Sequence, residues 1–161
     1  MTLSMNTLTA RLTSALALIV TVSLFAIAPA TAQEYKETYN EALEAAKAKD
    51  YQVALEKFNQ AADAAEAEGD SEVERRARRV ISQLRYNFGL AEVKNGNYQA
   101  AIAHFEDGIE QYPTNAKNYL ARGTALKKMD RLDDAIAAYA EAMQVGNSNG
   151  DTQTARQAED Q

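Results

Sequence analysis

His104 is the single histidine and the chain has no cysteine, so the side chains that most often bind transition metals are almost missing. One imidazole with no thiolate and no second histidine lacks the donor set that holds a zinc ion, and its place beside Phe105 reads as a surface position on a helix. No serine, threonine or carboxylate pair stands in a context that would give a nucleophile and its base. The charges that do cluster are cationic: Arg75, Arg76, Arg78 and Arg79. Glu72 precedes Arg76, and Glu74 precedes Arg78, by the four residues that allow ion pairing along a helix. Asp63, Glu66 and Glu68 stand just upstream to meet the same arginines, so this run reads as a solvated, internally paired face. The chemistry on offer is recognition by charge and apolar contact. No enzymatic activity, cofactor or metal is expected.

Over the whole chain the balance is acidic, with 17 basic against 23 acidic residues in 161. Non-specific nucleic-acid binding needs a dense basic surface, so that class of partner is excluded. The first 32 residues read as a secretory signal peptide: a short polar start with Arg11, an apolar run from Leu12 to Ala28, and the small-x-small site Ala30-Thr31-Ala32. Cleavage after Ala32 would leave Gln33 first, with 16 basic and 23 acidic residues and a formal charge of −7. The 17-residue apolar run would just span a bilayer if it were kept as an anchor. Absence of cysteine excludes both a lipoprotein anchor and disulfide stapling. The expected location is a bacterial periplasm or the cell exterior.

The remainder carries one proline, Pro113, and glycines mostly at joints. Rich in Ala, Leu, Glu and Lys, it is expected to be nearly all helix. The expected helices are Gln33 to Lys49, Tyr51 to Glu68, Ser71 to Lys94, Tyr98 to Gln111, Ala116 to Met129, and Leu132 to about Val145. Ser71 and Glu74 have the spacing of a capping box that starts the third, and Gly146 to Gly150 reads as a breaker. Residues 150–161 are a polar tail or a short frayed capping helix.

These helices follow a repeat. Tyr98, Ala101, Phe105 and Pro113 stand 34 residues before Leu132, Ala135, Tyr139 and Asn147. A fainter copy has Tyr51, Ala54, Phe58 and Ala61. The pattern resembles a tetratricopeptide repeat (TPR) array, in which each 34-residue unit is a pair of antiparallel helices. The resemblance implies an all-α solenoid of about three helix pairs over residues 33–149: Tyr35 to Glu68, Ser82 to Asn115 and Ala116 to Asn149. The signature places small residues where helices approach closely, met by Gly89 and Ala101 in the second unit and by Gly123 and Ala135 in the third. The first is degenerate, with Thr38, Glu41 and Ala42 at signature places. Ala54 and Ala101 are 47 residues apart, so 13 extra residues separate the first two units. They are expected to add about two turns to each of the second and third helices, an extended hairpin projecting as an arm.

In the family, ligands lie in a concave groove lined by the first helix of each unit. Carried onto this sequence, the resemblance implies a groove of Lys36, Tyr39, Leu43, Ala46 and Lys47, then Gln83, Tyr86, Asn87, Leu90, Val93 and Lys94, then Lys117, Leu120, Thr124, Lys127 and Lys128. Six of the eight lysines fall there and no acidic residue does. The partner expected is a protein or peptide segment that is acidic or bears a carboxylate, steered by the lysines and held by the apolar floor. The clamp by which some family members grip a C-terminal carboxylate is incomplete: Asn87 and Lys117 match, while Tyr39, Leu43 and Ala121 replace the rest. Two other roles fit the same sequence: a structural subunit that self-associates through an uncapped sixth helix or the arm, and a carrier of a small anionic ligand.

Overall fold

A computed structural model describes residues 32–161, and the stretch expected to be a signal peptide lies almost wholly outside the described residues. Among the described residues there are seven helices and no strand: α1 Ala32–Lys47, α2 Tyr51–Ala67, α3 Ser71–Lys94, α4 Tyr98–Gln111, α5 Ala116–Lys128, α6 Leu132–Asn149 and α7 Thr152–Glu159. Successive helices pack as antiparallel neighbours through short turns. Gly69 and Gly96 take positive φ, +74° and +81°, to close two of those turns. At the equivalent joints Lys49 and Asp130 adopt the same left-handed backbone without being glycine.

Helix starts are set locally. Asp50, Asp70 and Asp151 each cap the helix that follows, accepting the backbone N–H of Val53, Val73 and Thr154. The capping box expected at Ser71 and Glu74 is therefore displaced by one residue: Asp70 caps α3 and Ser71 is its first helical residue. Its carboxylate is the better acceptor at that point, and Glu74 turns to Arg78 instead, 2.9 Å away.

Two apolar clusters share α3. One joins α1, α2 and the first half of α3 around Ala42, Ala54, Phe58, Ala62, Ala77 and Ile81. The other joins α4, α5 and α6 around Ala101, Phe105, Ala125, Ala135 and Tyr139, with Tyr86 and Val93 of α3 packed against it. One helix can serve both because it is 24 residues long where α5 has 13. The 13 extra residues are unevenly placed. α2, with 17 residues, is only three longer than α4, with 14, so nearly all the added length lies at the start of α3. Nor does this end stand bare, because α1 runs beside it. Tyr35 is buried and its hydroxyl donates to Asp70 at the α2–α3 turn, 2.9 Å away.

The end of the array also differs from the sequence expectation. α6 runs through Gly146 to Asn149, and α7 folds back on it. A Cβ at residue 146 would stand 2.9 Å from the Asp151 carbonyl oxygen and 3.1 Å from the Ala155 Cβ, so glycine here permits close helix packing within a continuing helix. Ala155, Ala158 and Thr154 are buried, and the second half of α6 is covered. Leu132 and Ile136, in its first half, stay 53% and 66% exposed. Among the described residues no helix is long and apolar enough to cross a membrane.

Candidate binding groove

The array curves because its two sides are spaced differently. α1 touches α3, α3 touches α5 and α5 touches α7, whereas α2 does not reach α4, nor α4 α6. The odd-numbered helices are therefore drawn together on an inner wall while the even-numbered ones splay outside. Between the two units α3 and α5 are tied by buried polar groups. The Asn118 amide donates to the Ser82 hydroxyl at 2.9 Å, and the Asn115 amide to the same oxygen at 3.1 Å. Asn118 fits because Gly108 faces it without a side chain, a Cβ there standing 2.7 Å from the amide nitrogen.

Among the described residues, two recesses on the inner wall stand out. The smaller, of about 170 Å³, is mostly apolar and is lined by Tyr86, Leu90, Val93, Phe105, Lys117, Leu120, Ala121 and Thr124. The larger, of about 740 Å³, lies between α1, the first half of α3, the α4–α5 connection and the α6–α7 turn. Tyr39, Arg76, Arg79, Val80, Gln83, Tyr112, Thr114, Asn115, Lys117, Asn149 and Asp151 line it. Lys117 stands on the rim of both. Burial raises the pKa of the Tyr86 hydroxyl, which keeps that ring a neutral, amphipathic part of the wall.

The residues named from sequence divide accordingly. Tyr39, Gln83 and Lys117 meet in the larger recess, with the Tyr39 ring held edge-on by Phe58 at 5.4 Å between centroids. Tyr86, Leu90, Val93, Leu120 and Thr124 meet in the smaller. The Thr124 hydroxyl donates to its own helix at the Leu120 carbonyl, 3.0 Å, and offers a ligand mainly its methyl group. Gln83 donates to exposed Asn87 at 3.2 Å. Leu43 and Ala46 pack into the first cluster and line neither recess.

The lysines are less uniform than their spacing suggests. Lys36 lies 3.5 Å from Asp70, Lys47 pairs with Glu44 on its own helix at 2.6 Å, and Lys127 donates to the Gln161 main-chain oxygen at 2.9 Å. Lys94 and Lys128 are exposed and line neither recess. Only Lys117 combines a place in the groove with freedom from any partner among the described residues.

Sequence reasoning missed Arg76, Arg79 and Val80, which precede Gln83 by seven, four and three residues. That spacing puts them on one helix face with it, and extending the groove-facing stripe upstream into the added turns would have found them. The arginine run is mostly paired, as read. Arg75 and Arg76 both bind Glu72, and Arg78 reaches Glu74, Glu66 at 2.6 Å and Gln111 at 3.1 Å. Arg79 has no hydrogen bond or ion pair among the described residues.

A tetratricopeptide repeat family model matches residues 39–116 and again residues 86–152. The chain belongs to the tetratricopeptide repeat family. A comparison with curated proteins gave no match. Among solved structures, the chain is similar to the first TPR of Spaghetti (RPAP3) bound to the HSP90 peptide SRMEEVD, with 16% identity, a TM-score of 0.41, and coverage of 82% of this chain and 95% of that one. It is also similar to MamA, residues 41 to the end, from Desulfovibrio magneticus RS-1, with 17% identity, a TM-score of 0.36, and coverage of 78% and 89%. As a TPR array the chain is an all-α solenoid of a class whose usual work is protein interaction. Among the described residues no group of acidic, histidine or cysteine side chains could hold a metal ion.

Proposed function

We propose that this TPR array is a non-enzymatic scaffold, exported to the periplasm or beyond, that binds an acidic or carboxylate-bearing segment of a partner protein along its inner wall. The observation that carries the reading is the apolar recess of Tyr86, Leu90, Val93 and Leu120 with the unpaired ammonium of Lys117 on its rim. Its volume, about 170 Å³, is close to that of an apolar cavity that accepts benzene, about 150 Å³, so a leucine or phenylalanine side chain fits. An exposed lysine contact contributes about 0–1 kcal/mol, whereas burying one such apolar side chain contributes about 1.5–3 kcal/mol. Apolar contact therefore supplies most of the affinity, and charge selects the sign of the partner and speeds its arrival. Export is supported by the sequence layout of residues 1–32.

The test is crosslinking in the native envelope followed by identification of captured proteins, repeated with Leu120→Glu and with Lys117→Glu. Both variants are expected to lose the same specific partners. Recovery of those partners at undiminished yield from both would refute the groove. Secretion is tested separately by N-terminal sequencing of the purified protein, for which Gln33 is the expected first residue.

Exposed Leu132 and Ile136 on α6 favour one second reading, self-association through that helix. Light scattering of the parent and of Ile136→Glu at micromolar concentration tests it, a monomer in both cases rejecting the idea.

A further inference from the structure

We propose that the added turns of α3 create an anion subsite that other units of the array lack, in which Arg79 and Lys117 together seat an Asp or Glu side chain of the bound segment. The proposal rests on the groove reading above and extends the footprint beyond it. Three cations, Arg76, Arg79 and Lys117, and one carboxylate, Asp151, line the larger recess. Two of these four are already committed. Arg76 is held by Glu72 at 2.6 Å, and Asp151 caps α7, accepting the Thr154 N–H at 3.1 Å and the Thr154 hydroxyl at 2.7 Å.

What remains is cationic. Arg79 and Lys117 have no partner among the described residues, although every other arginine of the run, Arg75, Arg76 and Arg78, has at least one. The start of α5 adds to the same field. Its N-cap, Asn115, makes no side-chain cap hydrogen bond, because its amide is turned to Ser82. The Asn118 N–H is taken by the Asn115 carbonyl at 3.2 Å, but the two N–H groups before it, with the positive end of the helix dipole, are left for another acceptor beside Lys117. Concave walls that carry one sign of charge concentrate the field.

Arg79 precedes the unit that begins at Ser82, so the 34-residue pattern gives it no counterpart elsewhere in the chain. The occupant is a peptide and not a small ion on grounds of shape. At about 740 Å³ the recess far exceeds one carboxylate, and through Lys117 it adjoins the apolar recess. A ligand filling both must present an apolar group and an acidic group on one chain.

The experiment titrates the purified, isotope-labelled protein with the capped peptide LGEGEG and with its neutral counterpart LGQGQG, following backbone amide shifts. Both peptides are expected to shift residues 117–124, and the acidic one to bind about tenfold more tightly and to shift the amides around Arg79 as well, as charge-assisted hydrogen bonds require. Arg79→Gln should abolish the acidic preference and leave LGQGQG unaffected, while Arg79→Lys keeps most of it. An unchanged ratio of the two affinities in Arg79→Gln overturns the subsite and leaves the groove standing. Shifts absent from residues 117–124 with both peptides overturn the groove itself. If inorganic phosphate alone shifts the Arg79 and Lys117 amides as strongly as LGEGEG does, the site takes small anions and the peptide assignment is overturned.

Discussion

The Phe105 ring lies across Gly89 so closely that a Cβ at residue 89 would stand 2.4 Å from its Cε1 atom. One repeat later Tyr139 lies across Gly123 in the same way, the corresponding distance being 2.6 Å. Each pair joins the inner helix of a unit to its outer helix, so the ring sets how near the groove wall sits to its support. In the degenerate first unit Ala42 takes the glycine's place and packs in one cluster with Phe58.

Gly89→Ala should destabilise the array despite alanine's better helix propensity. The gain of about 1 kcal/mol from propensity is set against an overpacking cost of about 1–3 kcal/mol, and the fully buried Phe105 ring has no room to swing away. With the cost toward the upper end of that range, about 2–3 kcal/mol, a net loss of about 1–2 kcal/mol is expected in urea denaturation. Combining it with Phe105→Leu should cost less than the sum of the two single changes. Strict additivity would show that the contact is not the cause.

Ser82→Ala removes the shared acceptor of Asn115 and Asn118. Asn118 is fully buried and its Oδ1 already lacks a partner, so losing the hydroxyl leaves its amide only the long 3.5 Å bond to the Ser82 carbonyl. A destabilisation of about 1–3 kcal/mol is expected, with faster amide hydrogen exchange at the start of α5. Unchanged exchange there would mean that the tie does not hold α5 to α3.

The Asp70 carboxyl is held below the usual carboxylate range, chiefly by the Val73 N–H, then by the Tyr35 hydroxyl and Lys36. A carboxylate whose pKa falls on folding adds stability that is complete above its unfolded pKa of about 4 and is lost as pH falls through the lower folded value. Asp70→Asn should therefore lower the urea midpoint at pH 7, and the gap from the parent should close as pH is taken below about 4. A gap of equal size at pH 7 and pH 3 would contradict this.

Lys49 closes the α1–α2 turn at φ +65°, a conformation that costs L residues about 1–2 kcal/mol. Glycine has no such cost but loses more entropy on folding, so Lys49→Gly should stabilise by about 0.5–1 kcal/mol, read as a higher thermal midpoint. A lower midpoint would show that the lysine side chain contributes more than the turn strain removes.

Much of the architecture could be read from spacing because a repeat states the same packing problem more than once. The small residue and the ring, Gly89 with Phe105 and Gly123 with Tyr139, recur 34 residues apart since each unit must solve one close helix contact. Helix identity follows from a period of 3.6, a property of the chain alone, whereas the inner stripe Gln83, Tyr86, Leu90 was implied only by the resemblance to the TPR family. The turn between α2 and α3 was legible too, since the expected helices Tyr51 to Glu68 and Ser71 to Lys94 match the observed ones to within one residue; what failed was the even division of the extra residues, because α2 exceeds α4 by only three. The capping of α6 by α7 was legible only as one of two alternatives for residues 150–161, because the stretch is polar and its few buried groups, Thr154, Ala155 and Ala158, are small.

Which charges remain free was decided only in three dimensions. Arg75, Arg76, Arg78 and Arg79 are alike as residues, and local spacing supplies Glu72 and Glu74. It is the neighbouring α2 and α4 that bring Glu66 and Gln111 to Arg78, and the packing of α3 and α5 that lines one recess with both Arg79 and Lys117. The same holds for lysines equivalent by position: Asp70 comes to Lys36 from the α2–α3 turn and Gln161 to Lys127 from beyond α7. Helical period places a side chain on a face, but its charge is satisfied or left free by whatever the fold sets opposite.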